Sequence, residues 1–170
     1  MTEKLLITYA TRADSTAKIA AVIGEELSKR GYVVEIVPVK NKPVLEGYTA
    51  VLIGSAIRMG NWLPEAVDFI KKNQAALNTV PTALFTVHIL NTGDDEQSKA
   101  NRAAYLNSVH PLLKPVDEVF FTGKMDSKRL SLGDRLIARA VRVVDADRRD
   151  WDKIRGWAQT IFAAPSPEPE

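Results

Sequence analysis

The sequence predicts one α/β domain with a doubly wound, five-stranded parallel sheet in the strand order 2-1-3-4-5. Two observations support this prediction. Short apolar runs alternate with amphipathic helical stretches, and the first three runs are almost continuously apolar, as in strands covered on both faces. A chain of 170 residues is long enough to bury the core of one such domain.

Each strand is predicted from an apolar or β-branched run, and each helix from apolar residues at helical spacing. The first helix ends before Gly31, a common helix terminator, and the second has Pro64 in its first turn. The predicted strands are Lys4–Tyr9, Val33–Val39, Val51–Ser55, Pro81–Val87 and Val116–Gly123. The predicted helices are Ser15–Arg30, Pro64–Asn73, Glu96–Val109, Leu132–Val144 and Asp150–Phe162, the fourth being an amphipathic insertion between strand five and the last helix. Residues 1–162 form the expected domain, and the proline-rich residues 163–170 form a disordered tail.

The composition excludes several classes of protein. With no cysteine, the chain has no disulfide, thiolate nucleophile, iron–sulfur cluster or cysteine-bound zinc. The two histidines, His88 and His110, are far apart in sequence, so we expect no metal site. A net charge of +2 does not indicate nucleic-acid binding. Neither a secretory signal nor a long apolar span is evident, so we expect a cytoplasmic protein.

The loop after the first strand carries three hydroxyl groups around a helix start, those of Thr11, Ser15 and Thr16. Unpaired N–H groups and the helix dipole favour an anion there, and hydroxyl donors suit a phosphate. The alternative is ordinary helix capping, because Ser and Thr are frequent N-cap residues.

The segment I-T-Y-A-T-R-A-D-S-T-A-K-I-A resembles the FMN phosphate loop of flavodoxin-like proteins, with Tyr9, Thr11, Thr16 and Ala20 matching that pattern. Ala13 and Asp14 depart from it, standing where a hydroxyl and a glycine are usual. The resemblance implies a flavodoxin-like fold, noncovalent FMN, and contacts to the phosphate from residues Thr11, Arg12, Ala13, Asp14, Ser15 and Thr16.

The loop after the third strand resembles one branch of that superfamily, the flavodoxin-like protoporphyrinogen dehydrogenases of the menaquinone-dependent type. Their loop reads as a Ser/Ala-Ile-Arg-x-Gly run, and the resemblance extends to residues 121–124, 134–137 and 150–154. It implies that the isoalloxazine ring contacts Ser55, Ala56, Ile57, Arg58, Met59, Gly60, Asn61 and Trp62, and, after strand four, Val87, His88, Ile89 and Leu90. The alternatives are a core or surface role for Trp62, a solvated charge for Arg58 and a structural role for His88.

The positive charge is concentrated in one segment. Residues 124–142 contain six basic and two acidic residues, a local charge of +4, which leaves −2 for the rest of the chain. Arg135, Arg139 and Arg142 share one stripe of the predicted basic helix. A solvated arginine face is the simplest interpretation. The alternatives are an anchor on anionic lipid at the inner face of the membrane, or arginines that bind the propionates of a tetrapyrrole.

Three functions remain open from the sequence. The first is an FMN oxidoreductase resembling protoporphyrinogen dehydrogenase, which passes electrons from a tetrapyrrole to a quinone or another acceptor. The second is a nonenzymatic flavodoxin-type electron carrier whose basic helix docks an acidic redox partner. The third is a flavin-free scaffold, which the departures at Ala13 and Asp14 would favour. The catalytic residues and the oligomeric state are not predicted.

Overall fold

A computed structural model of the protein describes residues 3–12, 15–90, 93–125, 146–147 and 150–162. Five parallel strands form one sheet: β1 (Lys4–Ala10), β2 (Val33–Pro38), β3 (Ala50–Arg58), β4 (Thr82–His88) and β5 (Asp117–Thr122). Their order is β2-β1-β3-β4-β5, which confirms the prediction. The register places Tyr9 of β1 beside Gly54 of β3, and Gly54 beside Phe85 of β4.

Helices cover both faces of the sheet. They are α1 (Ser15–Lys29), α2 (Pro64–Lys72), α3 (Gln74–Leu77), α4 (Glu96–Ala104) and α5 (Trp151–Thr160). On one face, apolar residues of α1 and α5 pack on Leu5 and Ile7 of β1. On the other face, those of α2 pack around Leu6. Because neighbouring residues of a strand point to opposite faces, one apolar strand serves both layers.

Two predicted elements have clearly different ends in the structure. The third strand does not end at Ser55. It continues to Arg58, because the chain then turns and pairs antiparallel through Asn61–Trp62. The predicted helix Glu96–Val109, which is α4, stops at Ala104. None of its residues is buried, and the turns of residues 105–112 that follow bury Tyr105 and Leu106 instead.

Two further segments complete the description. Between β2 and β3 the chain forms one turn of 3₁₀ helix, Val39–Asn41. Lys124–Met125 pairs antiparallel with Ala146–Asp147. The predicted basic helix, Leu132–Val144, lies outside the described residues. Within the described part of the chain, no helix is long and apolar enough to cross a membrane.

Polar side chains hold helix α5 against α1. The Glu26 carboxylate, 6% exposed, accepts hydrogen bonds from Arg155 at 2.9 Å and from Gln159 at 3.2 Å. Arg30 donates to the carbonyl oxygens of Ala158 at 2.8 Å and Ile161 at 2.7 Å. These contacts satisfy carbonyl groups at the end of α5 and hold that helix against α1.

Candidate functional site

The candidate site lies at the carboxyl edge of the sheet, where β1 and β3 are neighbours although β2 separates them in sequence. The winding direction of the chain changes between these two strands. In open α/β sheets, ligands bind outside the strand ends at such a point. The structure brings the described parts of the three predicted segments, residues 11–12 and 15–16, 55–62 and 87–90, to this one edge.

Two buried hydroxyl groups mark the start of α1. The Oγ1 atoms of Thr11 and Thr16 are buried, and neither has a hydrogen-bond partner in the described part of the protein. Thr16 is fully buried, and Ser15 beside it is 6% exposed. A buried hydroxyl without a partner costs free energy, and two of them near one helix start make this end of α1 a candidate for binding a ligand.

Gly123 packs closely against the start of α1. A Cβ atom at this position would lie 2.7 Å from Cγ1 of Val87 and 3.2 Å from Oγ of Ser15. The glycine therefore lets the chain after β5 come close to the start of α1. The N–H groups in the first turn of α1 have no acceptor within the helix, and that turn contains no acidic residue. Hydroxyl and N–H donors at a helix start fit the phosphate of FMN. Ala13 and Asp14 lie outside the described residues.

Arg12 does not stand alone at this edge. Its guanidinium forms a two-pronged ion pair with Glu65 in the first turn of α2, with Nη2 3.0 Å from Oε2. The hydrogen bond from Arg12 lowers the pKa of Glu65, and the positive charge of Arg58 lowers it further. The carboxylate therefore stays ionised at neutral pH and attracts both arginines.

The segment after β3 is a hairpin rather than an open loop. Met59 and Gly60 form its two-residue turn with φ angles of 53° and 77°, both positive as a type I′ turn requires. Asn61 stabilises the turn by donating to the carbonyl of Met59 at 3.1 Å. Ala56 and Ile57 are half-buried, whereas Arg58 to Asn61 are exposed. A rigid turn with a side-chain-free position can approach a flat ring closely.

Two of the residues predicted to contact the ring, Ser55 and Trp62, hold this hairpin in place. Ser55 is fully buried; its hydroxyl donates to the carbonyl of Ala56 at 2.7 Å and accepts from the N–H of Leu63 at 3.0 Å. Trp62 is 2% exposed, and its indole N–H donates to the hydroxyl of Thr86 at 2.9 Å. The structure thus places both side chains beneath the edge. The sequence leaves three roles open for Trp62, ring contact, core and surface, and its burial excludes the surface role.

His88 ends β4 in a buried position. Its Nδ1 lies 2.7 Å from the carbonyl oxygen of Leu90, so Nδ1 carries the proton and donates it. Burial lowers the pKa of His88, and the charges of Arg102 and Lys153 add to that shift, while the hydrogen bond to Leu90 opposes it. The ring packs against Tyr105 and Phe120. His88 is therefore neutral at physiological pH, and it fixes the turn that follows β4.

Two apolar side chains project from the edge. Met59 is 75% exposed and Leu90 is 45% exposed. Val87 is buried and Ile89 is half-buried, so neither projects to the same extent. Two exposed apolar groups on neighbouring loops suit the faces of a planar, partly apolar ring. The predicted substrate or membrane residues Arg135, Arg139 and Arg142 lie outside the described residues.

Sequence reasoning missed the role of two residues at this edge. Glu65 and Thr86 have no motif signal, because each acts through a partner that is distant in sequence. Gly123 lies in residues 121–124, one of the segments that carry the family resemblance, but the reason for a glycine there is visible only in the packing.

Comparison with known proteins identifies the family. A flavodoxin domain model matches residues 6–152. Over 170 residues the chain is 25% identical to the protoporphyrinogen IX dehydrogenase [quinone] of Escherichia coli (strain K12), covering 93% of this chain and 94% of that protein.

Solved flavodoxins share the fold. Oxidised Flavodoxin 1 from Bacillus cereus superposes with a TM-score of 0.59 at 12% identity, covering 92% of this chain and 95% of that one. The flavodoxin of Fusobacterium nucleatum bound to flavin mononucleotide gives 0.56 at 16%, covering 94% and 97%. The chain therefore belongs to the flavodoxin family and is distantly related to the protoporphyrinogen IX dehydrogenases.

Proposed function

We propose that the protein is an FMN-dependent oxidoreductase that transfers electrons from a reduced tetrapyrrole to a quinone or a similar acceptor. The observation that carries the cofactor assignment is the pair of buried, unpartnered hydroxyls of Thr11 and Thr16 at the start of α1. The relationship to a quinone-dependent protoporphyrinogen IX dehydrogenase along nearly the whole chain supports the reaction class.

The chain's own residues would bind and orient the cofactor. Thr11, Ser15, Thr16 and the first N–H groups of α1 would donate to the phosphate. The hairpin backbone would face the ring, with Met59 and Leu90 in apolar contact with it. Bound FMN supplies the redox chemistry, taking two electrons from a reduced substrate and giving them to an acceptor. Because the chain has no cysteine, no protein thiol can serve as the electron store.

The basic segment supports an anionic substrate or surface. Residues 124–142 carry a local charge of +4, and the stripe Arg135, Arg139 and Arg142 would bind propionates or anionic lipid. We therefore propose a cytoplasmic protein that associates peripherally with the inner face of the membrane. Binding of the full chain to anionic vesicles tests this. Substitution of all three arginines by glutamine should weaken that binding or raise the KM for the tetrapyrrole.

Reconstitution is the decisive experiment. The full-length protein should take up added FMN, become yellow and release FMN on heating. The loaded protein should then oxidise protoporphyrinogen IX with a quinone present. A protein that stays colourless with excess FMN would exclude both flavin functions and leave the flavin-free scaffold.

The second candidate function is a nonenzymatic electron carrier. The fold similarity to flavodoxins favours it, and the basic segment would dock an acidic partner. FMN uptake without protoporphyrinogen turnover, together with reduction by a ferredoxin-type donor, would favour the carrier. Turnover with a quinone would favour the enzyme.

A further inference from the structure

The ion pair between Arg12 and Glu65 joins two segments on either side of the candidate site. Arg12 directly follows Thr11, whose hydroxyl is buried without a partner in the described structure. Glu65 lies one residue into α2. The side chains are 37% and 34% exposed, and both terminal guanidinium nitrogens face the carboxylate. Such a two-pronged geometry fixes the direction of the guanidinium as well as its charge.

That direction leads away from the phosphate donors. Helix α1, whose start carries Thr16, packs on the face of the sheet that contains Leu5 and Ile7. Helix α2, which carries Glu65, packs on the opposite face. The ion pair therefore draws the Arg12 side chain over the strand ends toward α2, while the hydroxyl and N–H donors lie at α1.

We propose that Glu65 reduces the preference of this site for FMN over riboflavin by holding Arg12 on the α2 side of the sheet. This inference rests on the proposed FMN site. Two effects of Glu65 both weaken the binding of FMN. Its negative charge repels a phosphate at the start of α1, and its hydrogen bonds keep the guanidinium from that phosphate. Riboflavin lacks the phosphate, so neither effect applies to it. Glu65 thus lowers the affinity for FMN alone and keeps the cofactor exchangeable.

Titration with two flavins tests the proposal. The full-length protein and the variant Glu65→Gln are titrated with FMN and with riboflavin, following flavin fluorescence. We expect Glu65→Gln to bind FMN about two- to fivefold more tightly, the range that corresponds to loss of a partly exposed ion pair. Its affinity for riboflavin should stay unchanged. The gain should shrink at high salt, because exposed charges are screened.

Three further variants identify Arg12 as the residue through which Glu65 acts. In Arg12→Gln, Glu65 loses its ion-pair partner, and of the positive charges in the described structure that lower its pKa only that of Arg58 remains to offset it, so FMN binding should weaken. The double variant, with neither charge, should bind FMN no more tightly than the original protein. Glu65→Asp keeps the charge but shortens the side chain by one methylene. It should weaken the ion pair with Arg12 without removing the negative charge, so its gain in FMN affinity should be smaller.

Glu35→Gln is the matched control. Glu35 pairs with Lys4 at 2.8 Å, with side chains 44% and 42% exposed, and Lys4 begins β1 at the opposite edge of the sheet. This variant should leave both flavin affinities unchanged. Thermal unfolding without flavin checks that every variant folds.

The outcomes separate the inference from the proposed function. Unchanged or weaker FMN binding by Glu65→Gln, or an equal gain for riboflavin, would overturn the role of Glu65 while FMN binding by the original protein still supports the flavin site. If the original protein and every variant fail to bind FMN, both proposals fall.

Discussion

Replacing Thr16 by valine should make the flavin-free protein more stable and the flavin complex weaker. The Thr16 hydroxyl is fully buried and lacks a partner in the described structure, so in the absence of ligand it only costs free energy. Valine has the same shape without the polar group. In the complex, however, that hydroxyl would donate to the phosphate. A gain in stability without flavin together with a loss of FMN affinity distinguishes a residue that binds the phosphate from one that only supports the fold.

The magnitudes follow from the burial. An unpaired buried hydroxyl costs about 1–3 kcal/mol, and helix propensities of Thr and Val are similar, so we expect a gain of about 1 kcal/mol in the free energy of unfolding. For a domain of this size that raises Tm by about 2–4 °C. A hydrogen bond to a charged group contributes about 1.5–3 kcal/mol, so FMN binding should weaken by about tenfold or more.

Thr8→Val is the control. The Thr8 hydroxyl is equally buried and unpartnered in the described structure, but it lies within β1 rather than at the start of α1. This variant should also be more stable without flavin, yet should bind FMN normally. Thermal unfolding without ligand and fluorescence titration with FMN measure the two quantities. If Thr16→Val lowers Tm or leaves FMN affinity unchanged, the assignment of this hydroxyl to the phosphate is refuted.

Three further predictions concern residues that support the site from within the sheet and its turns. Gly54→Ala should destabilise the protein by about 2 kcal/mol or more in chemical denaturation, because its Cβ would overlap the Phe85 ring. Trp62→Phe should cost about 1–3 kcal/mol, since it removes the donor to the buried Thr86 hydroxyl; an unchanged Tm would contradict that hydrogen bond. Because the folded pKa of His88 lies below 6.5, its value for the unfolded chain, the neutral ring contributes stability above about pH 6.5 that is lost as the pH falls toward the folded pKa. Tm measured from neutral to mildly acid pH should fall less steeply in His88→Gln.

The strand order and the position of the first loop at the carboxyl edge of the sheet could be predicted from the sequence because both depend on local pattern. Apolar runs and helical spacing fix which segments are strands and helices, and parallel connection rules leave few ways to arrange them. The hydroxyls of Thr11 and Thr16 follow from the same logic, since a helix start after the first strand faces the carboxyl edge.

The hairpin could have been predicted in part. Met59 and Gly60 stand between Ile57 and Trp62, a spacing typical of a two-residue turn, but the apolar run before them gave no sign that β3 extends to Arg58. By contrast, the pairing of Arg12 with Glu65 spans 53 positions. It depends on where α2 is placed by the packing of its apolar face, and no local pattern encodes that.

The attachment of α5 to α1 has a consequence for how the protein is made. The carbonyl groups that Arg30 binds lie 128 and 131 positions further along the chain. At translation rates of 5–20 residues per second, about 6–26 s pass between synthesis of Arg30 and of its partner Ala158. During that interval Ile19, Ile23 and Leu27 have only part of their final apolar surroundings. The packing of α1 is thus completed only after the end of α5 has been synthesised.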